Sequence, residues 1–412
     1  MNATRHRALP GLHLVVLACS PITLIHCGGV ANLESPTGQA GLDGGVESDA
    51  DVDSLVGDAL AEANSAEEAD VGDSPTTCDS DCWRITAKSN LDDAIWFPAH
   101  TWIGAAVLIY GGFRKVDASE QYGHGGARYD PDSDTWSDTA PGPEWTCANN
   151  SVWTGSRLLD LAFTGSAYDP LADAWSTGTS EPPWRDERAK AVWLGDQAVV
   201  WGRQDGEGAC GAAYEPDSDN WTSISPSDKG VCRRSALILA VGSRMLVWGG
   251  TTDGSIALRT GGVFDPETGT WQPTATQGSP SPRNNPLGVW TGTEVIVWGG
   301  NSVDPYQGLK DGAIYNSASN SWRPMKPFEG DTYWDGTVVW GDGRMFLWMG
   351  GGFHDAPGAI YNPDSDSWTY MSQINQPNTG EGAAVVWTGT DLFVWGGRGG
   401  EKHGWLYRPP PK

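Results

Sequence analysis

"VWTGTEVIVWGG", residues 289–300, sets two short apolar runs on either side of a Gly-containing turn and ends in a pair of glycines. The second run is nearly uninterrupted, which is the pattern of a strand buried on both faces. The same arrangement returns as "AVWLGDQAVVWG" (191–202), "LAVGSRMLVWGG" (239–250), "VVWGDGRMFLWMGG" (338–351) and "VVWTGTDLFVWGG" (385–397), with weaker copies at 101–112 and 152–163. Each copy reads as two strands around a tight turn, and there are seven of them.

Six of these heads are followed, after a variable gap, by a second unit: "GARYDPDSDTW", "GSAYDPLADAW", "GAAYEPDSDNW", "GGVFDPETGTW", "GAIYNSASNSW" and "GAIYNPDSDSW". These read as two more strands around a turn in which proline presets φ and Asp or Asn side chains cap turn amides. The seventh head runs only to "GWLYRPPPK", with no Trp after Tyr407. The absent tail is found at the other end of the repeat region, as "DSDCW" (79–83). Trp-to-Trp intervals of 39, 46, 50, 51 and 46 residues, from Trp136 to Trp368, bracket the period of propeller blades. The expected fold is therefore all-β, a seven-bladed propeller of four-stranded blades whose last blade is closed by an N-terminal strand. Such closure removes two exposed sheet edges.

The Gly pairs (111 and 112, 249 and 250, 299 and 300, 350 and 351, 396 and 397), the third-strand aromatic and the fourth-strand Trp resemble the kelch motif over roughly residues 79–409. Blade two departs from it, with "LAFTGSAY" and no Gly pair.

Composition bounds the function. A net charge of −26 argues against nucleic acid, whose binding needs a basic surface. Between Gly28 and Cys82 there are fourteen Asp and Glu and no Lys or Arg, so residues 28–78 are expected to be a disordered acidic tether. Residues 1–27 read as an export signal: a basic start followed by the apolar "GLHLVVLA". "VVLAC" is similar to a bacterial lipobox with Cys19 as the lipidated residue; Cys27 in "LIHCGG" is the alternative. The expected state is a monomeric lipoprotein of the cell envelope that touches membrane only through its anchor.

Asp130, Asp132 and Asp134 have the alternate spacing of a calcium loop, but the Gly and distal Glu of that loop are absent, which leaves an Asx-capped turn. Kelch-like topology puts the loop carrying Cys210 and the one carrying Cys232 on one face of the ring, which implies a Cys210–Cys232 disulfide. Cys78 and Cys82 are bonded locally or free, and Cys147 is unpaired; a thiol metal site is the alternative reading. Galactose oxidase, a related propeller enzyme, uses copper with a Tyr–Cys crosslink and His ligands, and none of those positions is matched here. No metal or cofactor is expected.

The same resemblance implies that ligands meet the face bearing the long loops 113–126, 203–210, 251–261 and 301–311. Candidate contacts there are Arg114, His124, Arg203, Asp205, Tyr306, Lys310, His354, Asp355, Arg398 and His403, with Trp145, Trp184, Tyr333 and Trp334 as aromatic platforms. No Ser-His-Asp order, phosphate loop or paired-carboxylate motif is legible. The expected function is a non-catalytic module binding a protein or glycan; a carbohydrate-acting enzyme on the same fold (a mutarotase, oxidase or lyase) is the alternative, and a purely structural role the third.

Overall fold

The structure, a computed structural model, describes residues 78–91, 95–116, 119–123, 125–142, 151–161, 165–178, 180, 189–202, 210–225, 232–252, 256–303, 307–330, 336–349, 357–399 and 402–412. Each head and its following unit form one four-stranded antiparallel sheet, and seven such sheets make the ring. Blade 1 has strands Ala99–Trp102, Val107–Tyr110, Gly126–Asp130 and Thr135–Asp138; blade 2 has Ser151–Trp153, Leu158–Asp160, Ser166–Asp169 and Ala174–Ser176. Blade 3 has Lys190–Trp193, Ala198–Trp201, Gly211–Glu215 and Asn220–Ile224; blade 4 has Leu237–Val241, Arg244–Trp248, Gly261–Asp265 and Thr270–Pro273. Blade 5 has Leu287–Trp290, Val295–Trp298, Gly312–Asn316 and Ser321–Pro324; blade 6 has Thr337–Gly341, Arg344–Trp348, Ala359–Asn362 and Ser367–Tyr370. Blade 7 takes Ala383–Trp387, Leu392–Gly396 and His403–Arg408 from the C-terminal end and Cys82–Lys88 from the beginning. In that sheet Trp83 lies opposite Tyr407 and Ile85 opposite Trp405.

The core is distributed over the seams between blades. At one of them Ile296, Trp298 and Ile314 of blade 5 pack on Met345, Leu347 and Tyr361 of blade 6. The second strands are buried on both faces, as their unbroken apolar runs require, and Trp201, Trp248, Trp298 and Trp395 at their ends are among the largest fully buried side chains. First strands form the inner wall of the ring.

A second set of contacts fastens six of the seven seams at the turn between third and fourth strands. The residue just before the fourth strand sits at positive φ and accepts two hydrogen bonds: one from the Tyr hydroxyl of its own third strand, one from a backbone N–H of the preceding blade. Tyr129 donates to Asp134 at 2.7 Å, Tyr168 to Asp173 at 2.6 Å, Tyr214 to Asp219 at 2.9 Å, Tyr315 to Asn320 at 2.9 Å and Tyr361 to Asp366 at 2.6 Å. Ala87, Ala140, Ser180, Ala275 and Lys326 supply the backbone N–H groups. Blade 4 has Phe264, which lacks the hydroxyl, and Gly269, which lacks the acceptor, so donor and acceptor are missing together. In blade 7 the acceptor is Asp81 of the orphan tag, at φ 49°, bonded to the Tyr407 hydroxyl at 2.6 Å and the Ser372 N–H at 3.0 Å. The Trp83 indole N–H donates to Ser372 O at 2.8 Å, and a Cys78–Cys82 disulfide flanks the tag.

The carboxylates of the "DPDSD" turn are divided between two tasks. Asp130 caps the turn by accepting from the Asp132 and Ser133 N–H groups, while Asp134 serves the seam. Among the described residues no group of three or more His, Cys, Asp or Glu is arranged to hold a metal ion. One departure from expectation is the loop 113–126. It contains a hairpin of strands Phe113–Val116 and Ser119–Tyr122, in which Phe113 lies opposite Tyr122 and Val116 opposite Ser119.

Candidate functional site

Antiparallel order sends the second-to-third connection of each blade and the fourth-to-first connection entering it to the same side of the ring. These two connections are stitched together by backbone bridges at equivalent positions in four described blades: Trp96 with Phe113, Arg234 with Thr251, Asn284 with Asn301, and Glu381 with Arg398 through the Arg398 N–H. The bridges leave little space. A Cβ on the second glycine of the pair would collide with the backbone of Arg234 at Gly250, of Asn284 at Gly300 and of Thr379 at Gly397. That glycine is also at positive φ, 74° at Gly250 and 81° at Gly300, so no other residue fits both demands.

A residue at positive φ follows each bridged position: Phe97, Ser235, Asn285 and Gly382. The Asn285 N–H donates to Ser235 O and the Phe97 N–H to Gly382 O, both at 2.7 Å, linking one blade mouth to the next. The backbone of the face is thus the same in these four blades, while the bridged side chains differ in every one of them: two aromatics, Arg and Thr, two Asn, Glu and Arg.

Buried arginines hold this face from beneath. Arg283 is 0% exposed and donates to Gly299 O, Asp311 O, Ser281 O, the Ser281 hydroxyl and the Asp311 carboxylate, at 2.8–3.1 Å. Burial lowers its pKa from the usual guanidinium value, and Asp311 opposes that shift. Arg233, at the same position of blade 4, donates to Gly249 O and to the Thr260 carbonyl and hydroxyl. Beside it the Cys210–Cys232 disulfide, with Cα atoms 5.3 Å apart, ties blade 3 to blade 4. Sequence reasoning overlooked these arginines. Their signal was an Arg two residues before the positive-φ position in "PRNNP" and "CRRSA".

Of the residues expected to make contacts, Arg398 is the most completely built. Its guanidinium pairs with Glu381 at 2.8 Å and lies 5.7 Å from the centroid of the Trp96 ring, across the seam from blade 7 to blade 1. Arg114 lies next to Phe113 on the hairpin and is half-buried, so the seam gathers Arg114, Trp96 and Arg398 on one quarter of the face. Lys310 is half-buried; its carbonyl accepts the Trp298 indole N–H at 3.2 Å and the Phe328 N–H at 2.8 Å. The His403 Nδ1 donates to Thr86 O at 3.0 Å, which gives that histidine a part in holding the closure strand. His124, Trp145, Trp184, Arg203, Asp205, Tyr306, Tyr333, Trp334, His354 and Asp355 lie outside the described residues, as do Cys19, Cys27 and Cys147. Trp96 and Arg234 were not singled out from the sequence, because only the bridges show that they occupy one position.

No curated protein matches the chain. Residues 188–397 match the KLHDC2/KLHL20/DRC7 Kelch-repeats domain, a span that covers blades 3 to 6 and the first two strands of blade 7. With the Gly pairs, the four-stranded blades and the closure strand in place, the chain belongs to the KLHDC2/KLHL20/DRC7 Kelch-repeats domain family.

Proposed function

We propose that this propeller is a non-catalytic binding module that recognises a protein partner through the loop face, held at the cell envelope by a lipid on Cys19 and the acidic segment 28–78. The observation that carries the reading is the set of bridged pairs. A backbone held constant over four described blades while its side chains change is a scaffold for specificity, since repeat packing constrains the first and leaves the second open. The described pairs offer an exposed Arg234, an exposed Arg398 over an indole, and Asn284 beside Asn301. Arg and aromatic anchors are the residues that dominate protein–protein binding energy.

The test is capture of envelope proteins by crosslinking to the full-length chain. Arg234→Ala combined with Arg398→Ala should abolish the captured species at an unchanged melting temperature, because both guanidinium groups are exposed. Undiminished capture places recognition elsewhere. For the anchor, Cys19→Ser should move the protein from the membrane fraction to the soluble fraction; retention of that variant, with release of Cys27→Ser, assigns the lipid to Cys27.

A further inference from the structure

Six blades have an intact turn between third and fourth strands and the seventh does not, so the six show what the closure tag has to replace. In the intact turns the third strand ends at Asp130, Asp169, Glu215, Asp265, Asn316 and Asn362, each paired with the first residue of the fourth strand. Five of these side chains cap the turn by accepting from the backbone N–H two residues on, that of Asp132, Leu171, Glu267, Ala318 or Asp364. Chain continuity and a cap together hold the seam acceptors Asp134, Asp173, Asn320 and Asp366 at φ of 46–52°. Residues of this kind leave the left-handed region readily when nothing fixes the turn around them.

Blade 7 has neither device. Arg408 stands at the capping position, opposite Cys82, and a guanidinium accepts no hydrogen bond. It pairs instead with Asp391, at 2.8 Å. The turn is also severed, because Arg408 runs on to Pro409 while Asp81 is reached from Cys78. Yet Asp81 sits at φ 49° and makes both seam bonds. The Cys78–Cys82 disulfide takes the place of what is missing. Three residues before the acceptor, Cys78 occupies the position of Pro131, Pro170, Pro216, Pro266, Ser317 and Pro363, and Cys82 is the residue that opens the closure strand. The bond therefore spans the turn, with Asp81 inside the closed loop. Asp79, Ser80 and Asp81 are exposed and the two cysteines half-buried, so solvent reaches this disulfide; Cys210 of the other one is 3% exposed.

We propose that the Cys78–Cys82 bond is a redox-sensitive latch on the ring: a dithiol reductant opens it, residues 79–81 leave the seam, and the join between blades 6 and 7 loosens while the propeller stays folded. The step is a thiol–disulfide exchange. One thiolate of the dithiol attacks a cysteine sulfur and the other cysteine leaves as a thiolate. The second thiol of the reductant then resolves the mixed disulfide. Two electrons and two protons thus pass to Cys78 and Cys82, and the dithiol ends as a disulfide. The strand beyond the tag has its own anchors. Trp83 is 2% exposed and its indole N–H donates to Ser372 O at 2.8 Å, while Trp83 and Ile85 pair with Tyr407 and Trp405. Reduction therefore unhooks Asp81 without detaching the outer strand of blade 7. Access governs the rate of exchange, so this bond opens before Cys210–Cys232.

The experiment treats the full-length chain, its existing thiols blocked, with dithiothreitol at neutral pH, labels the new thiols with iodoacetamide and follows backbone hydrogen exchange. Cys78 and Cys82 should label before Cys210 and Cys232. Exchange at the Ser372 N–H should then quicken about tenfold or more, and the melting temperature should fall by about 3 °C, as expected for a crosslink over a short loop in a domain of this size. Reoxidation should restore both. Cys78→Ser combined with Cys82→Ser should show the fast Ser372 exchange from the outset, with no further change on adding dithiothreitol. Should that variant fail to fold, the reduced wild-type chain decides alone. Unchanged exchange at Ser372 once Cys78 and Cys82 carry label overturns the proposal. So does a loss of protection shared by all seven blades, which is the mark of a crosslink that only stabilises, and so does labelling of Cys210 and Cys232 first.

Discussion

Asp81 gives the sharpest test of how the ring is closed. It is one of the four tag residues before Trp83, yet its carboxylate accepts the Tyr407 hydroxyl at 2.6 Å and the Ser372 N–H at 3.0 Å, joining the closure strand to the third strand of blade 7 and to blade 6. Tyr407 is fully buried. Asp81→Ala leaves its hydroxyl without an acceptor, at about 1–3 kcal/mol, and the loss of the backbone bond adds about 1 kcal/mol. The sum, about 2–4 kcal/mol, corresponds to a fall in melting temperature of roughly 3–6 °C for a domain of this size. Asp81→Asn should cost much less, because Asn320 performs the same two tasks in blade 5. Tyr407→Phe should cost about 1–1.5 kcal/mol, since the carboxylate it abandons keeps the Ser372 bond. The double variant Asp81→Ala with Tyr407→Phe reproduces the Phe264 and Gly269 arrangement of blade 4, where both partners are missing. It should therefore be about 1–2 kcal/mol more stable than the sum of the single changes. Thermal and urea unfolding of the four proteins measures this directly. Equal losses for Asp81→Ala and Asp81→Asn, or strict additivity of the pair, would refute the two-bond account of closure.

Two further outcomes follow from the same geometry. The carboxyls of Asp173 and Asp366 are held below their ordinary pKa, first by the Tyr hydroxyls that donate to them and then by backbone N–H groups, and the Asp130 carboxyl by Ser133 and its turn amides. A carboxylate with a depressed folded pKa contributes stability that is complete above its unfolded value of about 3.9 and is lost as pH falls through the lower folded value. Melting temperature should thus be flat with respect to these groups above about pH 5 and fall below about pH 4, and Asp173→Asn should flatten part of that fall. In the core, Trp298→Ala should cost about 3–5 kcal/mol, whereas Trp322→Ala should cost less, about 2–3 kcal/mol. The sequence treats these two indoles alike, but Trp298 is 1% exposed and Trp322 only half-buried, with its N–H on Ala275 O at 2.7 Å. Denaturation midpoints of the two variants check the order.

Blade count, strand order within a blade and the origin of the closing strand were all legible in the chain, and the reason is that they are repeated local demands. A blade calls for an apolar second strand, a glycine where backbones meet and a Trp over the seam, so the pattern recurs along the chain, with blade 2 as its weakest copy. The orphan "DSDCW" could be assigned because six intact copies defined what was missing. What each repeated residue does across a seam was not legible. Asp81 and Tyr407 are 326 positions apart, and the Asp of "DSD" reads as turn chemistry until the third strand brings a hydroxyl and the adjoining blade a backbone N–H to it. The same holds for Arg283, which has the sequence profile of a solvated loop cation but is enclosed by the connection of its own blade. It holds for Trp96, Arg234, Asn284 and Glu381 too, which share no residue type and become one position only through their bridges. Local sequence determines the blade because strand, turn and glycine requirements act within some ten residues of one another. The chemistry of the seams and of the loop face was decided only by tertiary structure, because it depends on which side chains seven sheets bring side by side.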